Sequence, residues 1–363
     1  MTAHRLRVKC RRELLQSAIL LFFFGALTVG TAALSQEVKR KTSATFSVNV
    51  EVVNVLVTVH DKRGNIIKDL TQEDFTLSED GRKQPILYFS RETDLPLTIG
   101  LIVDTTPSEN DMLEEEKAAS QVFLNKMLRP GKDSAFLVQF GDQEMELLQD
   151  LTSDPKLIEA GLSRLERHSM GMGSGFPGMA GRKTRADPVL RRRSGARFDL
   201  QTILADSLYM VSHEIMEPLE GRKALIVIGD GYHIGDRMDW AISAARQANT
   251  LIYAVRVYDP DFAGDGGGGF GPFGGRGGGL DPDDWKKDLK SLSKETGGSY
   301  FEVGKKQTLE DIYARIEEEL RSQYSLGYTP DAKAKSGFRK IKVNVERDGM
   351  VVNGREGYYP RLK

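Results

Sequence analysis

The chain has a single cysteine, Cys10, close to its start. Disulfides and thiolate metal sites are thereby excluded from the rest of it. Its five histidines are scattered, which leaves a zinc centre without good ligands. No glycine-rich stretch ends in glycine-lysine-serine or glycine-lysine-threonine, so a phosphate-gripping loop of that kind is absent. No serine sits in a nucleophile-elbow context. The formal charge of −1 argues against a globally basic nucleic-acid binder.

What is present is a chain of 363 residues, long enough for two modest domains. Arg5, Arg7, Lys9, Arg11 and Arg12 precede a charge-free stretch from Leu14 to Gln36. Small residues Ala33 and Ser35 offer a cleavage point. Residues 1–35 therefore read as a signal peptide or membrane anchor, and 36–45 as a linker. Export is expected, with the chain periplasmic, secreted or anchored facing outward. Membrane contact is expected only through this segment if it stays uncleaved, the apolar part being long enough to span a bilayer.

Residues 46–93 and 329–363 carry β patterns. In the first, Val48, Val50 and Val52 share one parity and Val53, Val55, Val57 and Val59 the other, which predicts a bulge or break near Val52. Thr71 with Asp74 predicts a capped turn, and Glu79-Asp80-Gly81 a hairpin. In the second, Ile341, Val343 and Val345 alternate with polar residues, and Asp348-Gly349 marks a turn. About 45 residues is thin for an independent core. The two segments are expected to form one small β-sandwich into which the middle of the chain is inserted.

That middle, residues 94–328, alternates apolar strands with amphipathic helices. The expectation is a doubly wound α/β domain with a mostly parallel sheet flanked by helices. Two insertions interrupt it. Residues 168–198 are rich in Gly, Met and Arg and read as a basic solvated loop, and residues 262–281 are nearly all glycine.

The pattern centres on LTIGLIVDTTPS, residues 97–108, an apolar strand running into Asp104 and alternating hydroxyls at Thr106 and Ser108. In open α/β sheets ligands bind at the carboxyl ends of strands. Oxygen-rich clusters with few carboxylates suit hard cations such as magnesium.

The chain resembles von Willebrand factor type A (VWA) domains, and more narrowly an exported bacterial branch. That branch carries segments like VLVTVHDKRGNIIKDLTQEDFTLSEDG before the domain and FRKIKVNVERDGMVVNGREGYY after it. The resemblance implies a metal-ion-dependent adhesion site (MIDAS). Asp104 matches its acidic residue, Thr106 replaces the first serine with another hydroxyl, and Ser108 matches the second. LQTILADS aligns Thr202 with the family's later threonine, although Leu200 and Gln201 stand where glycines are usual, and GDG places Asp230 on the last element. It further implies Mg2+, or another divalent ion such as Mn2+ or Ca2+, and a protein ligand that donates a carboxylate to it. No catalysis and no nucleic acid are expected. Two other readings stand beside it. One is a structural envelope scaffold whose metal site has decayed. The other is a phosphoryl-transfer enzyme, since DTTPS and GDG also resemble haloacid dehalogenase motifs, with Asp104 as nucleophile and Asp230 as metal ligand.

Overall fold

A computed structural model describes residues 52–91, 95–106, 112–141, 144–166, 202–229, 237–257, 282–304, 307–330 and 337–360. The N-terminal segment 1–35, the insertions 168–198 and 262–281, and the residues Val48, Val50 and Ser108 all lie outside the described residues.

In chain order the elements begin with β1 (Val53–Asp61), β2 (Phe75–Glu79), β3 (Arg82–Gln84), β4 (Tyr88–Arg91) and β5 (Leu97–Asp104). Then come α1 (Leu113–Met127), β6 (Ser134–Gly141), β7 (Glu144–Thr152), α2 (Pro155–Leu162), α3 (Ile203–Met210) and β8 (Arg222–Gly229). They are followed by α4 (Met238–Gln247), β9 (Leu251–Arg256), α5 (Pro282–Thr296), β10 (Tyr300–Glu302) and α6 (Leu309–Arg321). The chain closes with β11 (Tyr324–Tyr328), β12 (Arg339–Val345), β13 (Met350–Gly354) and β14 (Gly357–Tyr358). A π-helical stretch, Val211–Met216, continues α3.

Six strands form the central sheet in the order β10-β9-β8-β5-β6-β7. All neighbours are parallel except β7, which returns antiparallel along β6. Every residue of β5 and β8 is buried, which is why residues 99–103 and 224–228 read as apolar runs, while Arg222 and Lys223 at the start of β8 are buried with their side chains donating to the carbonyls of Leu320 and Met216. Alternate residues serve opposite faces. Ile99, Leu101 and Val103 pack with α1, α2 and α6, while Ile102, Phe136 and Val138 pack with α3, α4 and α5. Each such side chain, fully withdrawn from water, contributes about 1.5–3 kcal/mol. Helix α6 starts at a reciprocal cap in which Thr308 accepts from the Asp311 amide and Asp311 from that of Thr308. Its stripe Leu309, Ile312, Ile316 and Leu320 is fully buried.

The remaining strands form two four-stranded antiparallel sheets, β13-β1-β11-β4 and β14-β12-β2-β3. Val53, Val55, Val57 and Val59 from one meet Leu77, Ile341 and Tyr358 from the other in a shared core. The pairing of β2 with β12 joins residues 75–79 to 341–345, so strands from both ends of the chain build this β-rich domain together. Strand β1 runs unbroken from Val53. Residues 324–328, expected from the sequence to close the α/β part, pair with β1 and β4 instead. Tyr324, Leu326 and Tyr328 alternate inward, and that period of two suits a sandwich strand. The hairpin between β2 and β3 turns through Asp80 at φ 49° and Gly81 at φ 80°, successive positive values that match the twist of the flanking strands.

A buried polar knot locks the two sheets together. Glu79, 3% exposed, accepts hydrogen bonds from Tyr358 at 3.0 Å, from Arg339 at 3.3 Å and from the Tyr328 hydroxyl. Burial raises the Tyr358 hydroxyl to about 12, with the Glu79 charge adding to the shift.

Candidate metal centre

The chain leaves β5 through α1 to β6 on one side, and after β7 it crosses back through α3 to β8 on the other. The order reverses between β5 and β8, and such a switch point opens a crevice at the strands' carboxyl ends. Asp104 closes β5 and Gly229 closes β8.

Asp104 is 2% exposed and Thr106 4%. The Thr106 amide donates to Asp104 Oδ1 at 2.9 Å and its hydroxyl donates to the same oxygen at 2.7 Å. Between them Thr105 turns the other way, its amide and hydroxyl both donating to the Phe140 carbonyl at 2.9 and 3.0 Å. The alternation therefore has a mechanical cause: one threonine pins the loop to β6 so that the next reaches the carboxylate. Gly229 packs directly on this carboxylate. A Cβ at that position would stand 2.8 Å from Asp104 Cβ and 3.1 Å from Oδ2. Gly229→Ala is expected to cost about 1–3 kcal/mol through overpacking and to displace Asp104. Urea unfolding beside a magnesium titration checks both effects, and an alanine variant matching wild type in each would contradict the contact.

Thr202 is buried at the start of α3. Its hydroxyl donates to Asp206 Oδ2 at 3.0 Å, and Arg237 donates to both oxygens of Asp206 at 2.9 and 3.0 Å. Asp206 and Arg237 were not among the candidates from sequence. The signal for Asp206 was its spacing, four residues beyond Thr202 on a helix. Arg237 lies 5.8 Å from the ring of Trp240, which is 63% exposed. Ser108 and Asp230 lie outside the described residues.

The structure thus joins Asp104 to Thr106 and sets Gly229, the neighbour of Asp230, against them, while Thr202 is engaged by Asp206. Among the described residues no group of three or more His, Cys, Asp or Glu side chains is arranged to hold a metal. A cation here would rely on hydroxyls and few carboxylates. That is a donor set of hard oxygens, fitting Mg2+ rather than a soft transition metal.

No protein-family model matches the chain, and no curated protein matches it. Solved structures similar to it include the conserved hypothetical protein BatB from Bacteroides thetaiotaomicron, at 16% identity and TM-score 0.41, covering 62% of this chain and 97% of that one. An aerotolerance-related membrane protein from Bacteroides fragilis is similar at 14% identity and TM-score 0.40, covering 62% and 98%. The SpRpn10 VWA domain is similar at 11% identity and TM-score 0.37, covering 60% and 93%. Among the described residues no helix is long and apolar enough to cross a membrane.

Proposed function

We propose that this chain is an exported, non-enzymatic binding protein of the VWA type that grips a protein partner through a divalent cation, most simply Mg2+. Asp104, Thr106 and Ser108 would hold the ion with Asp230, and Thr202 would join them by exchanging its bond to Asp206. The observation that carries the reading is the packing of the Asp104–Thr106 pair against Gly229, at the carboxyl ends of adjacent strands and at the switch point of the sheet. A bound ion held mostly by neutral hydroxyls keeps unspent positive charge, which a partner's carboxylate neutralises. The chain's own residues supply the rest. Arg237 holds Asp206 at the rim, and the exposed Trp240 beside it offers the kind of aromatic anchor that dominates protein interfaces. The basic and apolar N-terminus supports export.

Calorimetric titration of the full chain with magnesium tests the reading. Wild type is expected to give saturable heats and the Asp104→Ala, Ser108→Ala double variant none. Equal heats from both would overturn it in favour of a scaffold. Magnesium-dependent turnover of p-nitrophenyl phosphate that is lost in Asp104→Asn would overturn it in favour of phosphoryl transfer.

A further inference from the structure

The β-rich domain joins the α/β body at the pole opposite Asp104. Strand β5 is entered from β4 at its amino end, and a cleft of about 960 Å³ opens beside the amino end of β10, between the two parts. Clefts at domain junctions are a preferred location for ligands.

Two sheets end at this cleft. Strand β13 is the last strand of its sheet and β10 the last of the central one. In the pairing of β1 with β13, Val59 faces Val352 and His60 faces Val351. Since Val59 and Val352 belong to the sandwich side, His60 and Val351 share the opposite face, towards the α/β body. Val351 is 51% exposed there. His60 is 6% exposed, and its Nε2 has no hydrogen-bond partner: Glu319 Oε1 lies 3.7 Å away, beyond hydrogen-bond reach. The lining is strongly basic, with seven Lys or Arg residues against three carboxylates. Those carboxylates are already engaged. Asp61 accepts from Asn65, Glu356 pairs with Lys294 at 3.5 Å, and Glu319 accepts from Ser299 at 2.7 Å. Lys340 and Lys342 stand exposed on β12 at its rim.

The edge of β13, unpaired among the described residues, offers main-chain donors and acceptors along residues 350–352, before Asn353 donates to Ser299 and the chain closes on Gly297; the exposed Val351 offers apolar contact, and a surplus of lysines offers charge. One kind of occupant answers all three: an extended peptide that pairs with the edge while its acidic side chains meet the lysines. We propose that the junction cleft docks an acidic, extended segment of a partner protein as an added strand along β13, independently of the cation at the other pole.

The test uses the full chain and a fluorescein-labelled decapeptide of alternating valine and glutamate, followed by fluorescence anisotropy in 50 mM salt with EDTA present. Saturable binding is expected, and it persists in EDTA because the cation takes no part. Lys340→Glu with Lys342→Glu is expected to weaken binding at least tenfold, and Val351→Glu, at an independent exposed position, to weaken it as well. The same peptide N-methylated at alternate residues is expected not to bind, nor is its lysine counterpart. Failure of the acidic peptide to bind, binding unchanged in the lysine variants, or equal binding of the N-methylated peptide would overturn the proposal. The last outcome would reduce the cleft to a simple attractor of anions, and inorganic tripolyphosphate displacing the peptide from a shared site would point the same way. None of these outcomes bears on the magnesium titration.

Discussion

Glu79→Ala is expected to destabilise the protein by about 3–5 kcal/mol, the scale on which removing one partner strands a buried ion pair. The carboxylate takes hydrogen bonds from Tyr328, Tyr358 and Arg339, contributed by β11, β14 and β12 respectively. Without it the Arg339 cation, 8% exposed, keeps its desolvation cost and loses its counter-charge. The double change Glu79→Leu, Arg339→Met replaces the pair by apolar volume and is expected to recover most of the loss. Urea denaturation of the three proteins measures both steps. A single variant within 1 kcal/mol of wild type would show that the knot does not tie the sheets.

Glu319→Gln is expected to stabilise the protein, and only above acid pH. Burial raises this carboxyl from 4.5 to about 7, against the Ser299 and Tyr253 hydrogen bonds and the Arg315 charge that favour its ionised form, with the Glu318 charge adding to the rise. A group whose folded value lies above its unfolded one gives stability that is complete below about pH 4.5 and is lost as pH rises through 7. Holding the carboxyl near 7 instead of 4.5 amounts to about 3 kcal/mol once the carboxylate is ionised in the folded state. Glutamine keeps the shape and an acceptor for Ser299 without the charge. The difference from wild type is therefore expected to be small at pH 5 and to approach about 3 kcal/mol by pH 8. His60 works in the opposite sense. Burial lowers its value below 6.5, chiefly by desolvation and with help from Arg315, although its bond to Gly64 favours the charged ring. At pH 8 its ring is neutral in both proteins, so the neighbouring charge change at Glu319, 3.7 Å away, leaves its contribution to that comparison small. Unfolding at pH 5 and pH 8 decides the matter: a variant less stable than wild type at pH 8 would mean that Glu319 is held there as a useful anion.

Much of the fold was legible because buried parallel strands leave few polar residues to confuse the pattern. Residues 97–104, 135–140, 224–228 and 251–256 lie in the strands that the apolar runs indicate. The joining of both chain ends in one β-rich domain followed from each segment being too small for a core of its own. Strand β11 was harder to see. It begins only three residues after α6 ends, with no glycine or proline between them, and its five residues are short enough to pass for the tail of the α/β part. Of the candidate site, the Asp104–Thr106 pair was readable because strand end and hydroxyl spacing are local features. The bond from Thr202 to Asp206 was not, since a sequence gives the types of neighbouring oxygens and not which of them a hydroxyl selects. Glu319 hid for a different reason. It stands in a run with Glu317 and Glu318, like a solvated helix face, yet its place three residues after Ile316 puts it on the buried stripe.

The insertion of the α/β body into the β-rich domain also sets a load path. The described chain enters at β1 and leaves at β14, both in that domain, so a pull between the ends is borne first by the sandwich strands and their hydrogen-bonded ladders. The crevice at Asp104 hangs off this line like a tool on a tether. Such a pull would leave the α/β body, and the Asp104–Thr106 pair within it, outside the strained path.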